Sequence, residues 1–143
     1  MEGEEVVVDA SVIVKWFVEE EYSREARLLR DSYASGLVDL AAPSLLPYEV
    51  LNALKYSGAF GEEELKEVAQ ALADFQFTLY NLEGRLAFKA VEVSMRKGVT
   101  IYDAAYVALA YILNTTLYTA DERLTKRVGD RRVVRHISEF RTP

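Results

Sequence analysis

The chain has 143 residues, of which half are apolar and 28% are charged, and it contains no cysteine. These proportions fit one globular domain spanning residues 1–143. The lack of cysteine excludes disulfides, thiolate zinc sites and cysteine nucleophiles. The formal net charge of −6 argues against a general nucleic-acid binder, because phosphate contacts need a basic face. Any chemistry on nucleic acid must therefore depend on bound cations and on local basic patches.

The sequence also bears on location. No apolar run reaches the ~18 to 20 residues that a membrane span requires. Residues 1–5 carry three glutamates and no basic residue, whereas a secretory signal peptide begins with positive charge and an apolar stretch. We therefore expect a cytoplasmic protein.

Strand and helix patterns alternate along the first half of the chain. Residues 6–8 form a β-branched run typical of a buried parallel strand. The next residues carry apolar side chains at helical spacing. Gly36 and Gly58 are placed to end the second and third helices. We predict strands over 6–8 and 38–42. We predict helices over 10–20, 23–35 and 62–76, and a further helix that begins between 43 and 47 and ends at 57.

The second half continues the alternation. Residues 104–113 have no charged or strongly polar side chain, which is typical of a helix buried on nearly all sides. We predict strands over 77–82, 117–119 and 133–137, and helices over 86–97, 104–113 and 122–128. This order predicts a three-layer α/β/α sandwich with a central parallel sheet. In such sheets, ligands bind beyond the carboxyl ends of the strands.

Four acidic residues fall where such a site would form. Asp9 directly follows the first strand, and Asp121 lies just past the strand over 117–119. Asp103 lies in the N-terminal turn of the buried helix. Glu49 lies in the first turns of the third helix, and Asn52 follows three residues later on the same helical face.

Each acid also has a purely structural interpretation. Asp9 and Asp121 suit helix N-caps, and Asp103 has capping-box spacing from Thr100. Glu49 suits a helix dipole. Four carboxylates in one cleft, however, repel one another and are costly to bury. A hard divalent cation with oxygen ligands resolves that conflict, so the set predicts a Mg²⁺ or Mn²⁺ site.

Two further features are less informative. His136 lies in a predicted strand with no second histidine and no cysteine, so we expect a structural or surface role and no zinc site. A basic cluster near the end of the chain is either a nucleic-acid contact or a solvated face; it consists of Lys126, Arg127, Arg131, Arg132 and Arg135.

The segments around the four acids resemble the motifs of PIN domains, and in particular of VapC-type toxins. They are residues 6–17 around Asp9, 43–54 around Glu49, 100–110 around Asp103 and 117–124 around Asp121. No single motif is specific, but the four occur in the family's order and extend across nearly the whole chain. The resemblance implies a cluster of four acids, with Asp9 and Asp103 as the most direct metal ligands.

The resemblance also implies supporting residues. Ser11 and Thr119 match small hydroxyl positions beside the first and last acids, and Asn52 matches an asparagine that helps to orient Glu49. Lys15 follows in the first helix, where it is either a contact for the substrate phosphate or a solvated side chain.

The implied function is a metal-dependent endoribonuclease that cleaves RNA phosphodiester bonds with Mg²⁺ or Mn²⁺. VapC-type toxins are typically held inactive by a cognate antitoxin and are usually homodimers. The resemblance therefore implies an antitoxin partner and a homodimer as well as an RNA substrate.

Three alternatives come from other classes of protein. A receiver-type signalling domain also binds magnesium, but it needs paired acids near the first strand and a phosphoacceptor aspartate after the middle strand. A haloacid-dehalogenase-type phosphatase needs a second aspartate two residues after the first, where this chain has Ser11. A non-catalytic RNA-binding or interaction module on the same fold stays open, although the presence of all four acids argues against it.

Overall fold

A computed structural model describes residues 3–143 of the chain. The strands are β1 (Glu4–Val8), β2 (Val38–Pro43), β3 (Thr78–Tyr80), β4 (Leu117–Thr119) and β5 (Val134–His136). The helices are α1 (Ala10–Val14), α2 (Ser23–Ala34), α3 (Leu46–Ser57), α4 (Glu62–Asp74), α5 (Gly84–Lys97), α6 (Ile101–Ile112) and α7 (Glu122–Val128), and a 3₁₀ turn spans Ile137–Glu139. In the described part of the chain, no helix is long and apolar enough to cross a membrane.

The five strands form one parallel sheet in the order β3-β2-β1-β4-β5. The central strand β1 is buried at Val6, Val7 and Val8, as its β-branched run predicts. The edge strand β3 is largely exposed. This sheet and its helices confirm the predicted α/β/α fold class.

The helices cover both faces of the sheet. The connections from β1 to β3 step across the sheet in one direction, and those from β3 to β5 step in the other. Because parallel crossovers are right-handed, α1 to α4 lie on one face and α5 to α7 on the other. The connections reverse between β1 and β4, which is the position where such folds open a binding crevice. Asp9 and Asp121 follow these two strands.

Helix α6 is the buried helix that the sequence predicts. Every residue from 104 to 110 is buried, and the helix packs against β1, β2 and β4 with α5 alongside it. Its N-cap is Thr100, whose hydroxyl accepts a hydrogen bond from the Asp103 N–H at 3.1 Å. A helix enclosed in this way fixes the direction of any side chain on its first turn.

The first helix is shorter than the predicted span of 10–20, and that prediction is wrong beyond Val14. The N–H groups of residues 15–17 bond to the carbonyl three residues earlier, which is the tighter 3₁₀ pattern. The side chain of Trp16 is fixed by a contact with another helix, because its indole N–H donates to the Ala26 carbonyl of α2 at 2.7 Å. The other predicted elements agree with the structure to within three residues at each end.

Candidate active site

The carboxylate of Asp9 is held by two hydroxyl groups, those of Ser11 in α1 and of Thr119 in β4. Its Oδ1 accepts hydrogen bonds from the Ser11 N–H and hydroxyl, and its Oδ2 accepts one from the Thr119 hydroxyl. Backbone N–H groups in turn donate to these hydroxyls, from Ala120 to Ser11 Oγ at 2.9 Å and from Asp121 to Thr119 Oγ1 at 3.0 Å. Each hydroxyl therefore accepts from a backbone N–H and donates its own proton to the carboxylate. The predicted supporting positions of Ser11 and Thr119 thus lie in contact with the first acid.

The charge on Asp9 is nevertheless costly. Asp9 as a whole is 8% exposed. Burial raises the pKa of its carboxyl group to about 6, although the hydrogen bonds from Ser11 and Thr119 lower it. The negative charge of Asp103 raises the Asp9 pKa further. A nearby cation would remove this cost, since opposite charge favours the ionised carboxylate.

Asp103 and Asp121 face the same crevice from α6 and α7. Burial and then the charge of Asp121 raise the pKa of Asp103. Asp121 is the N-cap of α7, where its Oδ1 accepts from the N–H groups of Arg123 and Leu124 at 2.9 and 3.2 Å. The capping interpretation of Asp121 is therefore correct, and it uses one carboxylate oxygen only.

Glu49 is oriented by a residue that the sequence analysis did not single out. The buried hydroxyl of Tyr106 donates to Glu49 Oε1 at 2.7 Å. Burial raises the Glu49 pKa, the Tyr106 hydrogen bond opposes this, and the Asp103 charge adds to it. Tyr106 lies three residues after Asp103 and so on the same face of α6. That spacing was the one signal for it, because tyrosine on an apolar helix ordinarily indicates core packing.

The charge of Asp103 raises the pKa values of Asp9 and Glu49, and the charge of Asp121 raises the pKa of Asp103. Within residues 3–143, however, no three acidic or histidine side chains are close enough to form a ready-made metal site. Mg²⁺ typically binds one or two carboxylates directly and keeps several waters. Because no three of these side chains in residues 3–143 converge, the arrangement fits an ion held by one or two carboxylates and not a closed protein cage.

The donor chemistry of the acids also fits such an ion. Among the described residues, the hydrogen bonds to Glu49 and Asp121 use one carboxylate oxygen of each and leave the other without a protein donor. Oδ2 of Asp9 accepts a single hydrogen bond and keeps a second lone pair. Glu49 and Asp121 are thus each anchored through one oxygen and have the other available, whereas Asp9 is bonded at both oxygens and keeps a lone pair on Oδ2.

The contacts of Asn52 and Lys15 differ from those expected from the sequence. Asn52 is exposed, and no hydrogen bond joins it to Glu49 in the described structure, so the orienting bond comes from Tyr106 instead. Lys15 is buried, with its Nζ 3.1 Å from Glu20 Oε1. The solvated interpretation of Lys15 is therefore wrong, and a phosphate contact would require it to leave that ion pair.

His136 has the structural role expected of it. Its Nδ1 accepts a hydrogen bond from the Ser138 N–H at 3.1 Å, which caps the 3₁₀ turn, and its ring meets Tyr22 edge to face. The basic cluster is largely engaged with nearby groups: Arg131 pairs with Glu139, Arg132 with Asp130, and Arg135 donates to a backbone carbonyl.

Comparison with known proteins identifies the family. The PIN domain family matches residues 6–130. The chain belongs to the PIN domain family. Ribonuclease VapC3 of Pyrobaculum aerophilum is 35% identical over 127 residues, covering 85% of this chain and 93% of the relative. Ribonuclease VapC1 of Mycobacterium tuberculosis is 34% identical over 129 residues, covering 88% and 92%.

Solved structures share the fold. A toxin–antitoxin complex from Klebsiella pneumoniae contains a chain with a TM-score of 0.68 and 18% identity, covering 94% of this chain and 99% of that one. A Pyrobaculum aerophilum protein has a TM-score of 0.64 and 23% identity, covering 94% and 90%. Membership of the PIN family confirms the resemblance and excludes the receiver-domain and dehalogenase alternatives.

Proposed function

We propose that this PIN-domain protein is a metal-dependent endoribonuclease that cleaves RNA with Mg²⁺ or Mn²⁺ and acts as the toxin of a toxin–antitoxin pair. The observation that carries the proposal is that Asp103 and Asp121 line one polar pocket at the reversal point of the sheet, where Asp9 accepts hydrogen bonds from Ser11 and Thr119. Relatives named ribonucleases that cover most of this chain support the reaction class.

In this proposal, Asp9 and Asp103 hold the cation, and Glu49 and Asp121 complete the acidic wall. When bound, a divalent cation lowers the pKa of a coordinated water and neutralises charge that develops on the phosphoryl oxygens. Ser11 and Thr119 keep Asp9 ionised and aimed into the crevice. Tyr106 keeps Glu49 turned toward it, so that its second oxygen can accept a proton or a water hydrogen bond.

The proposed partners are a cognate antitoxin and a second copy of the chain. A chain of similar fold belongs to a toxin–antitoxin complex from Klebsiella pneumoniae, which supports the first. Exposed apolar surfaces support both, because patches of this kind mark interaction sites. One is a stripe on α5 formed by Phe88, Val91 and Met95, which are 78%, 53% and 80% exposed. Another is an apolar groove of about 720 Å³ between α3 and α4 that includes Leu51 and Leu65.

The metal site is tested by calorimetric titration of Mn²⁺ into metal-free protein. The double variant Asp9→Asn with Asp103→Asn retains helix capping, because Asn is also a good N-cap for α1 and Thr100 still caps α6. We expect wild type to bind and to gain about 2.7 kcal/mol of stability at 100 times the Kd. The double variant should fold without binding, and the matched control Glu67→Gln, an exposed residue on α4, should bind as wild type does.

Cleavage of a labelled RNA then separates the enzyme from a non-catalytic module on the same fold. Wild type should cleave in Mn²⁺ and stop when EDTA is added, and the double variant should not cleave. RNA binding without cleavage at any Mn²⁺ concentration would support the non-catalytic alternative. Failure of wild type to bind Mn²⁺ at millimolar concentration would contradict the metal site itself.

A further inference from the structure

A small polar pocket of about 200 Å³ lies where the α5–α6 turn meets α7. Its walls carry opposite charges. Asp103 and Asp121 belong to the acidic cluster, whereas Arg123 and Arg127 come from α7. The pocket therefore joins the proposed cation site to two guanidinium groups, in a chain whose net charge is −6.

The two arginines lie on the same face of α7, because they are four residues apart. Arg127 is held by the fold, since its Nη1 donates to the Gly98 carbonyl at 3.2 Å at the end of α5. Arg123 differs from it. Its side chain is exposed and makes no hydrogen bond or ion pair with any residue in the described part of the chain. A guanidinium without a protein partner thus stands at the rim of an acidic crevice.

The chemistry of this rim suits a phosphate. Carboxylates repel a phosphodiester, so the acids can meet the RNA backbone through cations only. A guanidinium offers parallel N–H donors that match two phosphate oxygens. We infer that Arg123, with Arg127 beside it, binds a backbone phosphate of the RNA at the acidic edge and so positions the strand. This inference rests on the proposed ribonuclease function and adds a positioning residue to it.

The inference also accounts for how an acidic protein retains nucleic acid. In the basic cluster from 126 to 135, Arg131 and Arg132 form exposed ion pairs with Glu139 and Asp130. Arg123 lies outside that cluster and next to the acids. A phosphate contact of this kind carries no sequence information, so it would strengthen binding equally for different RNA sequences.

The test is fluorescence anisotropy with two unrelated labelled RNA strands, measured from 50 to 200 mM salt. Ca²⁺ replaces Mn²⁺, and a gel verifies that the RNA stays intact. We expect Arg123→Gln to raise the Kd roughly tenfold for both strands. The slope of log Kd against log salt should fall by about 0.7, the value for one phosphate contact on a single strand. Arg123→Lys should recover the slope, because it restores the charge.

Arg85→Gln is the matched control, because Arg85 is also exposed and lies on α5, 13 residues and about 20 Å along the helix from Gly98. It should leave the Kd and the slope unchanged. In steady-state cleavage with Mn²⁺, Arg123→Gln should raise KM and leave kcat within about twofold of wild type.

The outcomes are distinguishable. If wild type cleaves RNA and Arg123→Gln shows the wild-type Kd and salt slope, this inference is overturned and the proposed function stands. A higher Kd with an unchanged salt slope also overturns it, because the lost contact is then not to a phosphate. If wild type neither binds nor cleaves RNA, the proposed function and this inference fail together.

Discussion

Replacing Asp9 with asparagine should stabilise the metal-free protein at neutral pH. Burial raises the pKa of Asp9 from the ordinary 3.8 to about 6. Between these values the folded state binds more protons than the unfolded state, so stability falls as pH rises through this window. The pKa difference corresponds to about 3 kcal/mol of folding stability, because one pKa unit is 1.36 kcal/mol. This stability is present at low pH and has been lost once the pH exceeds the folded pKa of about 6. Asparagine is neutral and does not carry this cost.

The substitution has an opposing cost. The hydroxyls of Ser11 and Thr119 both donate to the carboxylate, and the amide of asparagine can accept from one of them only. We assign about 1–2 kcal/mol to that lost acceptor. The Asp9→Asn variant should therefore be more stable than wild type by about 1–2 kcal/mol at pH 7.5, and less stable by a similar amount near pH 4.

Urea denaturation in EDTA at pH 4, 5.5 and 7.5 measures this crossing. The control Glu67→Gln removes an exposed acid on α4 and should show no comparable crossing. Added Mn²⁺ should reverse the order at pH 7.5 by stabilising wild type selectively. A stability difference between Asp9→Asn and wild type that is the same at all three pH values would refute the reasoning, because burial would then not oppose the charge on Asp9.

Three other substitutions probe the site and its support. Tyr106→Phe removes the donor to Glu49 and should lower the single-turnover cleavage rate about tenfold, with the thermal unfolding midpoint changed by a few degrees at most. Trp16→Ala should cost about 3–5 kcal/mol in urea denaturation, because it deletes a buried indole from the core. Gly98→Ala should cost about 1 kcal/mol by the same assay, because Gly98 has φ +67°, and should displace Arg127, whose Nη1 would lie 3.1 Å from the new Cβ. Unchanged cleavage would contradict the first expectation, and an unchanged urea midpoint would contradict the second or the third.

Much of the architecture follows from local patterns. The β-branched run over 6–8 and the uncharged helix that follows Asp103 predict buried elements, and both are buried in the structure. Alternating strands and helices restrict the chain to a parallel sheet, because parallel strands require crossovers. The carboxyl-end positions of Asp9 and Asp121 then follow from chain order, since all strands of such a sheet end at the same edge.

The end of α1 did not follow from local patterns. Apolar residues continue at helical spacing beyond Val14, but Trp16 packs against Phe75 and Phe77, at ring-centroid distances of 5.0 and 5.9 Å. Those aromatic residues are some 60 positions away in the sequence. Because the contact is long-range, helical periodicity contains no information about it, and the tertiary packing overrides the local preference.

The sequence by itself determined the fold class and the edge of the sheet at which Asp9 and Asp121 lie. Residue type and order suffice for these, because they depend on periodicity and on the alternation of strands and helices. Tertiary structure alone decided which groups orient the acids: Tyr106 for Glu49, and hydroxyls more than a hundred residues apart for Asp9. It also decided that Arg123 lies at the crevice without a partner among residues 3–143. Hydrogen bonds of this kind join residues far apart in the chain, so their geometry exists only after the sheet has brought β1, β4 and α6 together.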